Sequence, residues 1–179
     1  MFMKPFNVHN LLQWVEENKD ELKPPVCNKE VYPGGDFIVM VIGGPNLRKD
    51  YHYNEGPEFF YQIKGDITLK VIEEGEFKDV VIKEGEMYLL NPKVPHSPQR
   101  PEGTVGLVIE EKRKDYQTDG FQWYCDSCGH KLHDEYFKLV NIEKQLPETF
   151  AKFNGNVELH KCSNCGDVLK VPNKATAAK

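Results

Sequence analysis

Long apolar runs, a basic excess and a large cysteine complement are all missing from this chain of 179 residues. Its longest apolar stretch, Phe37 to Gly43, is far below the ~20 residues that cross a bilayer as a helix. Lys and Arg number 23 against 28 Asp and Glu, a net charge of −5. That balance argues against a nucleic-acid or anionic-membrane surface, which needs clustered cations, and favours a small partner. The first ten residues lack the basic, apolar, small-residue order of a secretory leader, so the expected setting is soluble and cytoplasmic. Cysteines number five. Where thiols stay reduced, two C-x-x-C pairs read as metal ligands rather than disulfides.

The length suits one ordinary domain plus an appendage, and a chain of this size buries roughly two thirds of its unfolded surface. Asn7 is placed to cap a short amphipathic helix with Val8, Leu11, Leu12 and Val15 on one face, ended by Lys23-Pro24-Pro25. From Asp36 to about Glu111 the pattern becomes short β-rich runs: Phe37–Ile42, Phe59–Ile63, Ile67–Ile72, Phe77–Ile82, Met87–Leu90 and Val105–Ile109. Turns at Gly43-Gly44-Pro45-Asn46, Lys64-Gly65-Asp66, Glu74-Gly75 and Glu84-Gly85 separate most of them. Crossover helices have no room, so the fold is predicted to be mainly β, an antiparallel sandwich or barrel. Residues 116–170 hold both C-x-x-C pairs and a helix near Glu148–Phe153, in a segment read as too small for a core of its own. Residues 171–179 are expected to be a disordered tail.

His52 and Glu58 flank a Gly-Pro turn, and His96 follows 38 residues after Glu58. On a barrel, residues near strand ends converge on one mouth. Two imidazoles and a carboxylate there form a facial triad with open positions, the arrangement of non-haem Fe(II) oxygenases. Residue types alone equally allow three polar side chains in surface turns.

Glu58 and Gly65 keep the last interval of the first cupin motif, and Gly85 and His96 keep the spacing of the second. Asn54 replaces the second His of the first motif, Asn91 and Lys93 replace Pro and Gly, and Arg100 takes the final Asn position. Lys23-Pro24-Pro25-Val26, Val41-Ile42-Gly43-Gly44-Pro45-Asn46, Asp50-Tyr51-His52, Glu58-Phe59-Phe60-Tyr61-Gln62 and His96-Ser97-Pro98-Gln99-Arg100-Pro101 narrow the resemblance. Within the cupins, the chain resembles the 3-hydroxyanthranilate 3,4-dioxygenase family over nearly its whole length.

The resemblance implies a cupin (jelly-roll) barrel over residues 1–115, in which His52, Glu58 and His96 bind catalytic Fe(II). It implies an extradiol-type opening of the 3-hydroxyanthranilate ring by O2 to 2-amino-3-carboxymuconate semialdehyde. That product cyclises to quinolinate for NAD synthesis from tryptophan. Arg100, with its planar fork, would pair with the substrate carboxylate. Arg48 resembles the family's arginine beside O2 and could offset charge developing there. Glu110 resembles the carboxylate that meets the substrate's hydroxyl or amine as base or orienter, while strand alternation turns the rival Glu111 away. Glu58 is also expected to touch substrate, and the family suggests a homodimer.

Cys125-x-x-Cys128-Gly129 and Cys162-x-x-Cys165-Gly166 form matching knuckles 33 residues apart. Together they complete a tetrahedral S4 shell, which leaves no open position and so reads as structural. Such a shell suits zinc or a rubredoxin-like iron, and the resemblance points to iron. His130, His133 and His160 read as bystanders, His9 as an exposed helix residue, and Cys27 as a small buried hydrophobe. Two rivals stand beside the dioxygenase: a related aminophenol dioxygenase, and a non-catalytic cupin that binds an aromatic acid.

Overall fold

The structure, a computed structural model, describes residues 6–24, 27–46, 48–140 and 142–171. Residues 172–179 of the expected tail lie outside it. Helix α1 spans Leu11–Glu17. Its cap is Asn10, whose side chain accepts the Gln13 N–H, and not Asn7. Asn10 wins because Trp14 and Leu11 then pack with Leu22 and Val41, leaving Val8 and Leu12 exposed. His9 consequently precedes the helix and rests its ring near Tyr32.

Among the described residues eleven strands follow, all paired antiparallel. β1 (Asn28–Glu30), β2 (Phe37–Gly43), β9 (Val105–Glu111), β4 (Glu58–Lys64) and β7 (Met87–Leu90) form a five-stranded sheet in that order. β11 (Lys131–Phe137), β10 (Asp119–Tyr124), β3 (Asp50–Asn54), β8 (His96–Gln99), β5 (Ile67–Glu73) and β6 (Glu76–Ile82) form a six-stranded one. The mainly β, antiparallel expectation holds, but among the described residues no strand pairing joins the sheets, so they stack as a sandwich without closing into a barrel. Gly75 takes φ of 81° in the β5–β6 hairpin turn, and Gly65 and Gly85 take 66° and 83° in the turns that carry the chain from one sheet to the other, a left-handed conformation that side chains resist.

Two cores divide the inner face of the six-stranded sheet. Leu69 and Val71 of β5 meet Met40, Phe60, Leu90 and Val108 of the other sheet. At the opposite end, Phe121 and Trp123 of β10 pack with Phe150 and Phe153 of helix α2 (Ile142–Gly155). The four-cysteine segment therefore does have a core, and through β10 it continues the sheet by pairing with β3. α2 begins earlier than expected because the chain accommodates Pro147 inside its early turns. β3 and β8 run between the two cores.

Candidate functional site

β3 and β8 share one register position, at which His52 faces His96, their ring centroids 5.2 Å apart. Glu58, at the start of β4, reaches in from the other sheet. One of its carboxylate oxygens lies 3.4 Å from His52 Nδ1 and the other 3.2 Å from His96 Nε2. The remaining ring nitrogens are committed: His52 Nε2 lies 2.8 Å from Asp119, and His96 Nδ1 lies 3.0 Å from the Val94 carbonyl. Those partners fix tautomers that leave His52 Nδ1 and His96 Nε2 as the lone-pair donors. One donor atom from each of the three residues lies within 4.8 Å of the others. Burial opposes a charged His52 ring, but hydrogen bonds to Asp119 and Glu58 raise its pKa to about 9. The spot thus favours positive charge, and the donor set fits a divalent cation held on one face.

Glu110 is buried on β9 at the register position opposite Glu58, whereas Glu111 is exposed. Asn54 Nδ2 donates to both acids, to Glu58 Oε1 at 3.2 Å and to Glu110 Oε2 at 3.1 Å. Its own Oδ1 accepts the Gly56 N–H at 2.8 Å. Burial and the Glu58 charge raise the Glu110 pKa, against the pull of Arg113. Arg113 donates to Glu110 and, through Nε and Nη2, to Asp119 at 2.9 and 2.7 Å. Burial raises and His52 with Arg113 lowers Asp119, with a net fall, so it stays ionised.

Arg100, 3% exposed, follows β8. The one side-chain partner of its guanidinium among the described residues is the neutral Gln62, at 3.5 Å. Burial and the nearby Arg48 charge lower its pKa to about 10, the sign of a cation short of an anion. Its backbone is tied to Asn46. Gly106 of β9 makes room: a Cβ there would sit 2.7 Å from both Arg100 Nη1 and Gln62 Oε1. Arg48, by contrast, is neutralised by Asp50 and lies over the Phe121 and Phe150 rings, about 6 Å from each centroid. Cys27 is half-buried with φ of 61°, its thiol 3.6 Å from the Pro45 carbonyl oxygen and pushed up in pKa by burial.

The two knuckles bring the sulfurs together, Cys125 to Cys165 and Cys128 to Cys162 each at 3.6 Å, with no disulfide. Gly129 and Gly166 take φ of 70° and 77° and donate back to the Cys125 and Cys162 carbonyls. The Asn164 amide and the His130 backbone N–H lower Cys128 to about 6. Against the Asp167 backbone N–H, the crowded sulfurs push Cys165 up to about 12. Thiols that resist ionising together fit a shared cation. His130 bonds Ser163, His133 stacks on Trp123, and His160 bonds the Phe153 carbonyl.

Asp119 and Arg113 were absent from the sequence expectations, Asp50 and Gln62 entered only inside quoted motifs with no role attached, and Asn54 entered only as a departure from the cupin pattern. Strand alternation was the signal for the role of Gln62, which lies two residues from Phe60 and so on the same inward face of β4.

The 3-hydroxyanthranilic acid dioxygenase family profile matches residues 1–154. A 3-hydroxyanthranilate 3,4-dioxygenase of Xanthomonas euvesicatoria pv. vesicatoria is 49% identical over 174 residues, 97% of each chain. One from Bacillus thuringiensis is 46% identical over 167 residues, 93% of each chain. Among solved structures, a cupin-2 domain containing protein from Shewanella frigidimarina is 15% identical with a TM-score of 0.46, covering 59% of this chain and 95% of its own.

Proposed function

This chain belongs to the 3-hydroxyanthranilic acid dioxygenase family, and from that premise we propose how its residues open the ring of 3-hydroxyanthranilate. Both atoms of O2 enter the product, 2-amino-3-carboxymuconate semialdehyde, which closes to quinolinate. The observation that carries the residue assignment is the convergence of His52 Nδ1, Glu58 and His96 Nε2 within one shell.

Those three side chains would hold Fe(II). When bound, the metal would supply open positions at which substrate and O2 meet and through which electrons pass from ring to oxygen. Arg100 receives the substrate carboxylate: a buried guanidinium with only a neutral partner gains most from a bidentate anion, which fixes the orientation of the ring. Glu110 Oε2 is occupied by Asn54 and Arg113, so Oε1 is the atom left to take the proton from the substrate hydroxyl. Burial and Glu58 favour that protonation. Arg48, anchored by Asp50, offsets negative charge as it develops on oxygen. Glu58 also borders the substrate.

The four cysteines would hold a second ion, iron or zinc, in a closed shell that ties the two knuckles together. A cytoplasmic setting, read from the sequence, and a homodimer, which the family resemblance suggests, are part of this reading. No helix among the described residues is long and apolar enough to cross a membrane.

Anaerobic Fe(II) loading followed by substrate and air tests the reading, with O2 uptake and product absorbance recorded beside Arg100→Ala. Stoichiometric O2 uptake and a large loss in the variant are expected. Binding without uptake would favour an aromatic-acid sensor. Equal turnover of a decarboxylated analogue would remove Arg100 from the carboxylate role.

A further inference from the structure

Six side chains around the candidate metal close into a ring of contacts, five of them hydrogen bonds and the sixth the 3.4 Å approach of His52 Nδ1 to Glu58 Oε1. From Glu110 it runs to Arg113, from Arg113 to Asp119 and from Asp119 to His52. His52 then faces Glu58, whose Oε1 accepts from Asn54, and Asn54 returns to Glu110 Oε2. Two members, His52 and Glu58, would hold the metal. One, Glu110, would face the substrate. The remaining three touch neither and connect the two tasks.

Arg113 is the member with reach on both sides. It lies just past β9, yet its side chain is only 6% exposed, and it spends one edge on Glu110 and the other on Asp119. Burying a guanidinium is costly unless charged partners surround it, and here two carboxylates from different segments raise its pKa further despite burial. Its planar fork matters as well as its charge, because a single ammonium cannot reach both acids in fixed directions.

We propose that Arg113 is a positioning residue: it holds Asp119 against His52 Nε2 and Glu110 against Asn54, so one side chain aims both a metal-holding imidazole and the substrate-facing carboxylate. This rests on the reading of His52, Glu58 and His96 as the metal ligands. Without Arg113, Asp119 and Glu110 face each other's field uncompensated, and each turns away from the atom it now meets. On the other side of the ring Asn54 bridges a different pair of acids, Glu58 and Glu110, at the position where the cupin motif carries a second histidine.

The test uses the full chain with its four-cysteine site first filled with zinc, so that added Fe(II) reports the histidine site alone. Fe(II) affinity is measured anaerobically by chelator competition, and kcat and KM are measured separately, for wild type, Arg113→Lys, Arg113→Ala and Asp119→Asn. Loss of a partner behind a metal-bound histidine weakens metal binding by about 10–100-fold. Arg113→Ala is expected to fall in that range and to lower kcat at saturating Fe(II), because Glu110 is also released. Asp119→Asn should weaken Fe(II) binding with a smaller loss of kcat at saturating metal. Arg113→Lys should recover part of one property and not both. Thermal unfolding and the zinc content show whether each variant is folded. A folded Arg113→Ala with wild-type Fe(II) affinity and wild-type kcat would overturn the proposal. A His96→Ala control that still binds Fe(II) like wild type would instead overturn the ligand reading, and the positioning role with it.

Discussion

His52 and His96 are cross-strand neighbours at the one register position that β3 and β8 share, and Glu58 from the opposite sheet lies against both. The candidate metal site is thus held by the stacking of the two sheets as much as by either strand. Glu58→Gln keeps the shape and removes the charge, leaving two imidazoles without their anion. Fe(II) affinity, measured anaerobically against a chelator, should fall by more than ~100-fold, beyond the loss seen for outer partners, while the thermal midpoint stays near that of wild type. Unchanged affinity would reject the carboxylate as a ligand.

Arg100 is predicted to trade stability for binding. Arg100→Met removes a buried guanidinium that has no carboxylate partner among the described residues. Stability should rise by about 1 kcal/mol, read as a gain of about 2–4 °C in Tm. At the same time kcat/KM for 3-hydroxyanthranilate should drop by about 100-fold, since hydrogen bonds to a charged group are worth about 1.5–3 kcal/mol. A variant that loses both stability and turnover would show Arg100 to be structural.

Gly106→Ala probes the same guanidinium without touching it. The added Cβ would fall 2.7 Å from Arg100 Nη1 and from Gln62 Oε1, so one of the two must move. A displacement of about 1 Å in a positioning group can cost ~100-fold in rate. The expected signature is a raised KM for substrate with Fe(II) binding retained, and a normal KM would place the carboxylate elsewhere.

The sequence made six strands legible, since β2, β4, β5, β6, β7 and β9 carry apolar alternation between glycine turns. β3 and β8 were missed for the reason that makes them interesting. Asp50-Tyr-His-Tyr-Asn and His-Ser-Pro-Gln point polar groups inward, which erases the period that marks a strand. The three candidate metal ligands came from motif spacing. Asp119 had no such signal, because its link to His52 spans 67 residues and forms only when β10 docks on β3. The core of residues 119–171 was underestimated because its aromatics are scattered among polar neighbours, and Phe150 and Phe153 reach Phe121 and Trp123 only when α2 docks on β10.

The four-cysteine shell should contribute folding energy rather than turnover. Cys125→Ser with Cys162→Ser removes two ligands, and metal binding energy at a closed site is folding energy. The double variant should lose one bound metal per chain and show a lower Tm, with Fe(II) still held at the histidine site. Full loss of turnover in a folded, iron-loaded double variant would assign the cysteines a part in the chemistry.

Phe121 stands opposite His52 on the neighbouring strand, stacks on its ring with centroids 5.2 Å apart, and belongs to the core beneath the cysteine knuckles. A chain stopped after Asp115 would lose that wall, the aspartate behind His52 and the strand that pairs with β3. The stretch before Tyr116 therefore does not carry the whole candidate site, and swapping cysteine segments between relatives would exchange part of that site with them.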